Sequence, residues 1–132
     1  MKYEYLFHEK NPGDLFELYQ SLEWQQYLNI DAVSLSSAMK NSFRAIYVYE
    51  ENLLIGTGRV ISDGIINAYI CGIGVDTAHR NQGIGSEILS RLVNSCEQSR
   101  LQIQLLCEEH LTTYYKSKGF EVFAIGMKKD GL

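Results

Sequence analysis

The stretch that most limits what this chain can become is residues 69–91, where an apolar, β-branched run gives way abruptly to a helical pattern. Residues 68–75 read as a buried strand, and Ile84, Ile88, Leu89, Leu92 and Val93 recur at the spacing of one helical face. Between them lies a basic turn containing glycines. The first N–H groups of a helix have no intrahelical acceptor and the helix dipole is positive there, so such a turn suits an anion. Gly83 and Gly85 have no Cβ and let anionic oxygens approach the backbone, while Arg80 adds a guanidinium able to make paired bonds to phosphate. Two common glycine loops do not fit. A Rossmann fingerprint needs a third glycine where Ile88 stands, and a P-loop needs Gly-Lys-Ser/Thr, which is absent.

The run Arg80-Asn81-Gln82-Gly83-Ile84-Gly85 instead resembles the Arg/Gln-x-x-Gly-x-Gly/Ala signature of the GCN5-related N-acetyltransferase (GNAT) family. Downstream, Tyr115-Lys116-Ser117-Lys118-Gly119-Phe120 is similar to that family's Tyr-x-x-x-Gly-Phe. The resemblance runs in order through nearly the whole chain, with its specific residues between Gly56 and Phe120. It implies an α/β (α+β) fold, with a mixed, mostly antiparallel central sheet, helices on both faces, and a splay between the fourth and fifth strands. It also implies acetyl-coenzyme A as cosubstrate, no metal, and a pyrophosphate held by Arg80, Asn81, Gln82, Gly83, Ile84 and Gly85. The pantetheine would lie as a pseudo-strand in a gap between residues 73–75 and 105–107. Backbone groups of Ile73 and Val75 would then contact it, one N–H serving the oxyanion. Gly72 and Gly74 fit a strand that bulges or admits a ligand.

The chain of 132 residues, 45% hydrophobic and 21% charged, reads as a single globular domain over residues 1–132. Its net charge of −4 argues against a nucleic-acid surface and favours a small cationic acceptor. Residues 1–10 lack an apolar signal core, and no run is long enough for a membrane span. Cys71, Cys96 and Cys107 are odd in number, sit in apolar patterns without metal-ligand spacing, and are expected to be reduced and buried. These features point to a cytoplasmic protein with a small-molecule partner and leave a homodimer open.

Taken in order, alternation at Tyr3, Tyr5 and Phe7 predicts a first strand, and Asn11-Pro12 a helix start with Leu15, Leu18, Tyr19 and Leu22 on its apolar face. A second helix is predicted near residues 31–41, with Val33, Leu35, Ala38 and Met39. In GNAT proteins this helix-loop-helix builds the acceptor pocket, so Trp24 and Tyr27 either line that pocket or pack a short helix onto the sheet. Strands are expected at 43–49, 53–61, 65–75, 101–107 and 120–127. Arg59 and Asp63 share a strand face and either interact or stand as an edge pair.

By the resemblance, Tyr115 is the general acid that protonates the coenzyme A sulfur, a role suited to a phenol that is neutral at pH 7. Its neighbour Tyr114 points elsewhere and reads as core. Many family members carry an acid on the cofactor strand, where this chain has Gly72. The base is then sought at Glu108, at the mouth of the expected splay, followed by Glu23, Asp63 and His79. For Glu108 the alternative is a charge at a helix N-terminus. Without the acid, a non-catalytic acyl-coenzyme A binding or sensor domain is the competing expectation.

Overall fold

The apolar runs assemble into one five-stranded sheet in the computed structural model, which describes residues 2–131 apart from the Tyr27 side chain. Strands β1 (Glu4–Leu6), β2 (Arg44–Glu50), β3 (Leu53–Ser62), β4 (Asn67–Val75) and β5 (Gln102–Leu105) lie side by side in sequence order. The first four pair antiparallel and β5 joins β4 in parallel. Parallel neighbours need a long return, supplied here by helix α4 (Ile84–Gln98). Helices α1 (Asp14–Ser21), α2 (Gln25–Leu28) and α3 (Ala32–Lys40) precede β2, and α5 (Thr112–Ser117) follows β5.

The sheet is covered on both faces. On one, Ile84, Ile88 and Leu92 of α4 pack onto Ile46, Val48, Ile55, Val60 and Ile70. On the other, Leu15, Leu18 and Tyr19 of α1 and Leu35 and Met39 of α3 pack onto Tyr47, Tyr49 and Leu54. Burying one such side chain stabilises the fold by about 1.5–3 kcal/mol. Gly58 sets how closely α4 approaches, since a Cβ there would lie 2.7 Å from Ile88 Cγ2.

Several expectations are corrected. Helix α1 begins at Asp14 instead of Asn11-Pro12, because Gly13 adopts a left-handed φ of 93°. Glu9 supplies an acceptor for Leu15 N–H at 2.9 Å. Val33 of α3 is 80% exposed and lies off the buried stripe, while Asp31 caps this helix by accepting from Ser34 N–H. The strand expected at residues 120–127 does not form. The segment is apolar enough for a strand, but a strand also needs a neighbour's hydrogen-bond ladder, and among the described residues β5 has its only ladder with β4. Val122, Phe123, Ile125 and Met127 stand exposed. All three cysteines are free, but Cys107, just beyond β5, is exposed. No helix among the described residues is long and apolar enough to cross a membrane.

Candidate functional site

Strand β4 carries the site because it outlasts its parallel partner. The last pair in the register is Ile70 with Leu105, and beyond it residues 71–75 keep only β3 as a neighbour. The parting coincides with a β-bulge: Arg59 pairs with Cys71 and Thr57 with Gly74, so β4 spends one extra residue there. Gly72, with a φ of 66°, adopts the left-handed conformation that glycine takes without a Cβ clash. A bulge sharpens the local twist and bends the strand, which accounts for β4 leaving β5 at this point. The splay therefore lies where the sequence places it.

The chain leaves β4 through one turn of 3-10 helix, Thr77–His79, and enters α4 through residues 80–83. Asn81 and Gly83 both have positive φ, and Gly83 occupies the N-cap of α4 without a side-chain capping bond. The leading N–H groups of α4 are thus left without a side-chain acceptor, the condition an anion site requires. A Cβ on Gly83 would meet nothing within 4 Å, and one on Gly85 would meet only Val75 Cγ2 at 3.8 Å, so space lies open over both. Arg80 is exposed and donates from Nε to the Val75 carbonyl at 3.1 Å, which ties the guanidinium to the end of β4. Gln82 accepts from the Tyr3 hydroxyl. The Ile84 side chain is buried in the core, leaving its backbone N–H as the group it can offer an anion. Among the described residues no cluster of His, Cys, Asp and Glu is arranged to hold a metal.

On the opposite face the bulged strand meets the α1–α2 connection. Trp24 is half-buried, stands edge-on to Tyr19 with ring centroids 4.8 Å apart, and lies so close to β4 that a Cβ on Gly74 would fall 2.5 Å from its Cη2. The structure thus brings Trp24 to the splayed part of β4, against which it packs. Tyr27 lies on the backbone of α2, and its side chain is outside the described residues. A Cβ on Gly72 would lie 3.6 Å from the Tyr19 hydroxyl and 3.9 Å from Arg59 Cγ. Burial raises the Tyr19 pKa, keeping this phenol protonated. Tyr19 and Arg59 are neighbours of the site; the sequence places Tyr19 on the helix stripe and leaves Arg59 either an interaction with Asp63 or an edge pair. The Arg59–Asp63 contact does not form, because Asp63 accepts from Ile65 and Ile66 N–H at 2.8 Å each and closes its own turn. Arg59 instead donates weakly to Ser42 Oγ at 3.4 Å and has no carboxylate partner among the described residues.

Tyr115 sits on α5, half-buried between Tyr114 and Phe120, with ring centroids 5.0 and 6.0 Å away. Burial is the main cause that raises its pKa, with Tyr114 and Cys107 adding to it. It lines an open groove of about 890 Å³ together with Leu105, Leu106 and Cys107 at the end of β5. Tyr114 is not core. Its hydroxyl is 2.7 Å from Ser86 Oγ in the first turn of α4, a link from α5 to the anion turn that no local pattern encodes. Glu108 is exposed beyond β5 and faces His110 at 3.5 Å. Of the other base candidates, Glu23 adjoins Trp24 with a φ of 65°, Asp63 is occupied by its turn, and His79 lies between Asp76 and Glu50.

Comparison with known proteins agrees with this geometry. The Acetyltransferase (GNAT) domain family matches residues 42–122, which include β2 to α5 and both motifs. Histone acetyltransferase TAP1 of Glycine max is 28% identical over 106 residues, covering 71% of this chain and 46% of the soybean protein. The chain spans about half the length of such curated relatives. An acetyltransferase of Trypanosoma brucei superposes with a TM-score of 0.78 at 15% identity, over 97% of this chain and 99% of that one. Arabidopsis thaliana Naa50, solved with the bisubstrate analogue CoA-Ac-MVNAL, gives a TM-score of 0.69 at 19% identity, over 94% and 86%. Strand order, splay, glycine turn and family match converge on one assignment: the chain belongs to the GNAT acetyltransferase family.

Proposed function

We propose that this chain is an N-acetyltransferase that moves an acetyl group from acetyl-coenzyme A directly to the primary amine of a small acceptor. The observation that carries this reading is a β4 strand that loses its partner after Ile70 and runs into an uncapped, open glycine turn. The pyrophosphate would take the N–H groups of residues 82–85 and the Arg80 guanidinium. The pantetheine would occupy the missing strand position beside residues 71–75, with the Ile73 and Val75 backbones as its partners. Such a complex parallels the coenzyme A analogue bound by Arabidopsis Naa50.

The neutral amine attacks the thioester carbonyl, forming the C–N bond while an N–H donor stabilises the oxyanion. The C–S bond then breaks and the thiolate takes a proton from Tyr115, whose half-buried phenol stays protonated well above neutral pH and regains its proton from water after each turnover. The excess proton on nitrogen leaves through water to a carboxylate. Glu108 stands beyond β5 and Glu23 beside Trp24, so the acceptor would approach between these two. Trp24 and Tyr27 would line its pocket. The net charge of −4 favours a cationic acceptor over a nucleic acid. The competing reading, an acyl-coenzyme A binder, draws on Gly72 standing where many relatives carry an acid.

The test is a panel of polyamines, arylalkylamines, amino sugars, amino acids and peptide N-termini, incubated with acetyl-coenzyme A and followed by release of free thiol. Turnover on one class establishes transfer and names the acceptor. Tight binding of acetyl-coenzyme A with no thiol release across the panel assigns the chain as a binder.

A further inference from the structure

His79 is the last residue of the 3-10 turn that delivers the chain to the glycine turn, and both of its ring nitrogens face carboxylates. Nδ1 is 2.9 Å from Asp76 Oδ2 and Nε2 is 3.0 Å from Glu50 Oε1 at the end of β2. A neutral imidazole has one N–H and one lone pair, so it would set a lone pair against a carboxylate on one side. Only the imidazolium donates to both. We infer that His79, as an imidazolium shared between Glu50 and Asp76, is the positioning residue that pins the turn of residues 80–85 to β2 and, together with Lys2 on Glu50, offsets two carboxylates beside the anionic cofactor. The inference rests on the reading of that turn as the pyrophosphate site.

The surroundings agree. Lys2 Nζ approaches Glu50 from the other side at 3.4 Å, and the Tyr3 ring stands edge-on to the imidazole with centroids 6.5 Å apart. Tyr3 reaches on to Gln82, so the N-terminal segment, β2 and the turn meet around His79. Arg80, the next residue, is directed to the Val75 carbonyl and leaves both carboxylates to His79 and Lys2. Tyr3, Lys2, Glu50, Asp76 and Arg80 are the charged or titratable groups around this ring. Its hydrogen bonds to Glu50 and then Asp76 raise the His79 pKa above 6.5, and the bond to His79 lowers that of Glu50 below 4.5. The sign follows. A raised histidine pKa means that the brace is complete below pH 6.5 and is lost as pH rises through the folded-state value. A lowered carboxylate pKa means that it also holds down through pH 4.5, failing only in more acid solution. Above the window Glu50 keeps Lys2, but Asp76 loses its cationic partner and adds one uncompensated negative charge next to the phosphate turn.

The prediction is a cofactor affinity that falls with alkaline pH for a reason unrelated to chemistry. The imidazole of His79, followed by NMR in the free protein, should titrate above 6.5, and a value at or below 6.5 overturns the shared-imidazolium assignment without reference to any ligand. Calorimetry with acetyl-coenzyme A from pH 7 to 9.5, where the phosphate with a second pKa near 6 is already about nine-tenths ionised or more, should show binding weakening roughly two- to fivefold through the same titration. His79→Gln should bind more weakly at pH 7 and lose that pH dependence. Glu50→Gln, which leaves one carboxylate on the ring, should shift the titration to lower pH and reduce the loss. Binding that is equally tight across the range in wild type and His79→Gln overturns the brace while leaving the cofactor site intact. No binding at any pH overturns both.

Discussion

At the scale of single residues, the site separates groups that act through their backbone from those that act through their side chain. Gly85 belongs to the first kind. Its φ is not left-handed and a Cβ has room, so Gly85→Val should fold normally yet place a branched side chain over the open turn. Calorimetry should show acetyl-coenzyme A binding weakened by about tenfold or more, since excluding phosphate from two or three charge-assisted bonds forfeits at least ~1.4 kcal/mol, and unchanged affinity would remove residues 80–85 from the cofactor site. Gly83 is a poorer probe, because its φ of 82° would strain any replacement whatever the ligand does. Tyr115 is of the second kind. Its hydroxyl has no hydrogen bond among the described residues, so Tyr115→Phe keeps the ring packing on Phe120 and deletes only the proton donor. Turnover should fall about 100- to 10,000-fold with cofactor affinity unchanged. The pH profile provides an independent check. Activity should rise with pH as the acceptor amine loses its proton, and a descending limb from the acid should appear only above pH 10, since burial moves this phenol upward from 10.0.

At the scale of elements, α1 is fastened to the sheet by a small polar cluster. The Tyr49 hydroxyl donates to Asp14 at 2.6 Å and accepts from Lys10 N–H at 2.8 Å, and the Lys10 ammonium lies 4.9 Å from the same ring centroid. Tyr49→Phe leaves the part-buried Lys10 N–H without its acceptor and Asp14 Oδ2 with only the Asn11 N–H, and should lower stability by about 1–3 kcal/mol, read as a lower denaturation midpoint with an unchanged slope. A shift under a few tenths of a kcal/mol would mean that water replaces the hydroxyl. Elements of strong period were legible in the sequence. Ile84, Ile88, Leu89 and Leu92 repeat along one face, and α4 buries that face. Legibility failed where a neighbour decides. Residues 120–127 are apolar enough for a strand but find no ladder, and Val33 falls on the outer side of its helix. The candidate site divides in the same way. The glycine turn is local and could be read. The Tyr114–Ser86 bond spans 28 residues and the Glu50–His79 contact 29, and both arise only from folding.

At the scale of the whole molecule, the two cores must supply different things to one strand, and Gly72 is how the chain arranges it. Before the bulge, Ala68 and Ile70 belong to the α4 core, while Tyr69 and Cys71 are paired across with Ile61 and Arg59. After it, Ile73 and Val75 pack on the α4 core and Gly74 lies under Trp24. Even-numbered residues face α4 first, and odd-numbered ones do so afterwards. The strand is two segments of opposite parity spliced at one residue, which makes β4 sensitive to length more than to composition. Gly72→Ala keeps the count and should cost about 1 kcal/mol or somewhat more for a left-handed φ. Deleting Gly72 removes the splice. It would leave residues 70, 71, 73, 74 and 75 in unbroken alternation, with Ile73 and Val75 still toward α4 and Gly74 still under the indole, but without the bulge that bends β4 away from β5. The deletion should therefore let β4 go on pairing with β5 beyond Leu105 and weaken acetyl-coenzyme A binding, read by calorimetry, far more than the alanine does. Equal affinities for the two variants would mean that the bulge is not what opens the gap beside β4. A single glycine thus works as a frameshift written in three dimensions, an extra residue whose removal would leave each neighbour facing its own core and take away only the opening beside them.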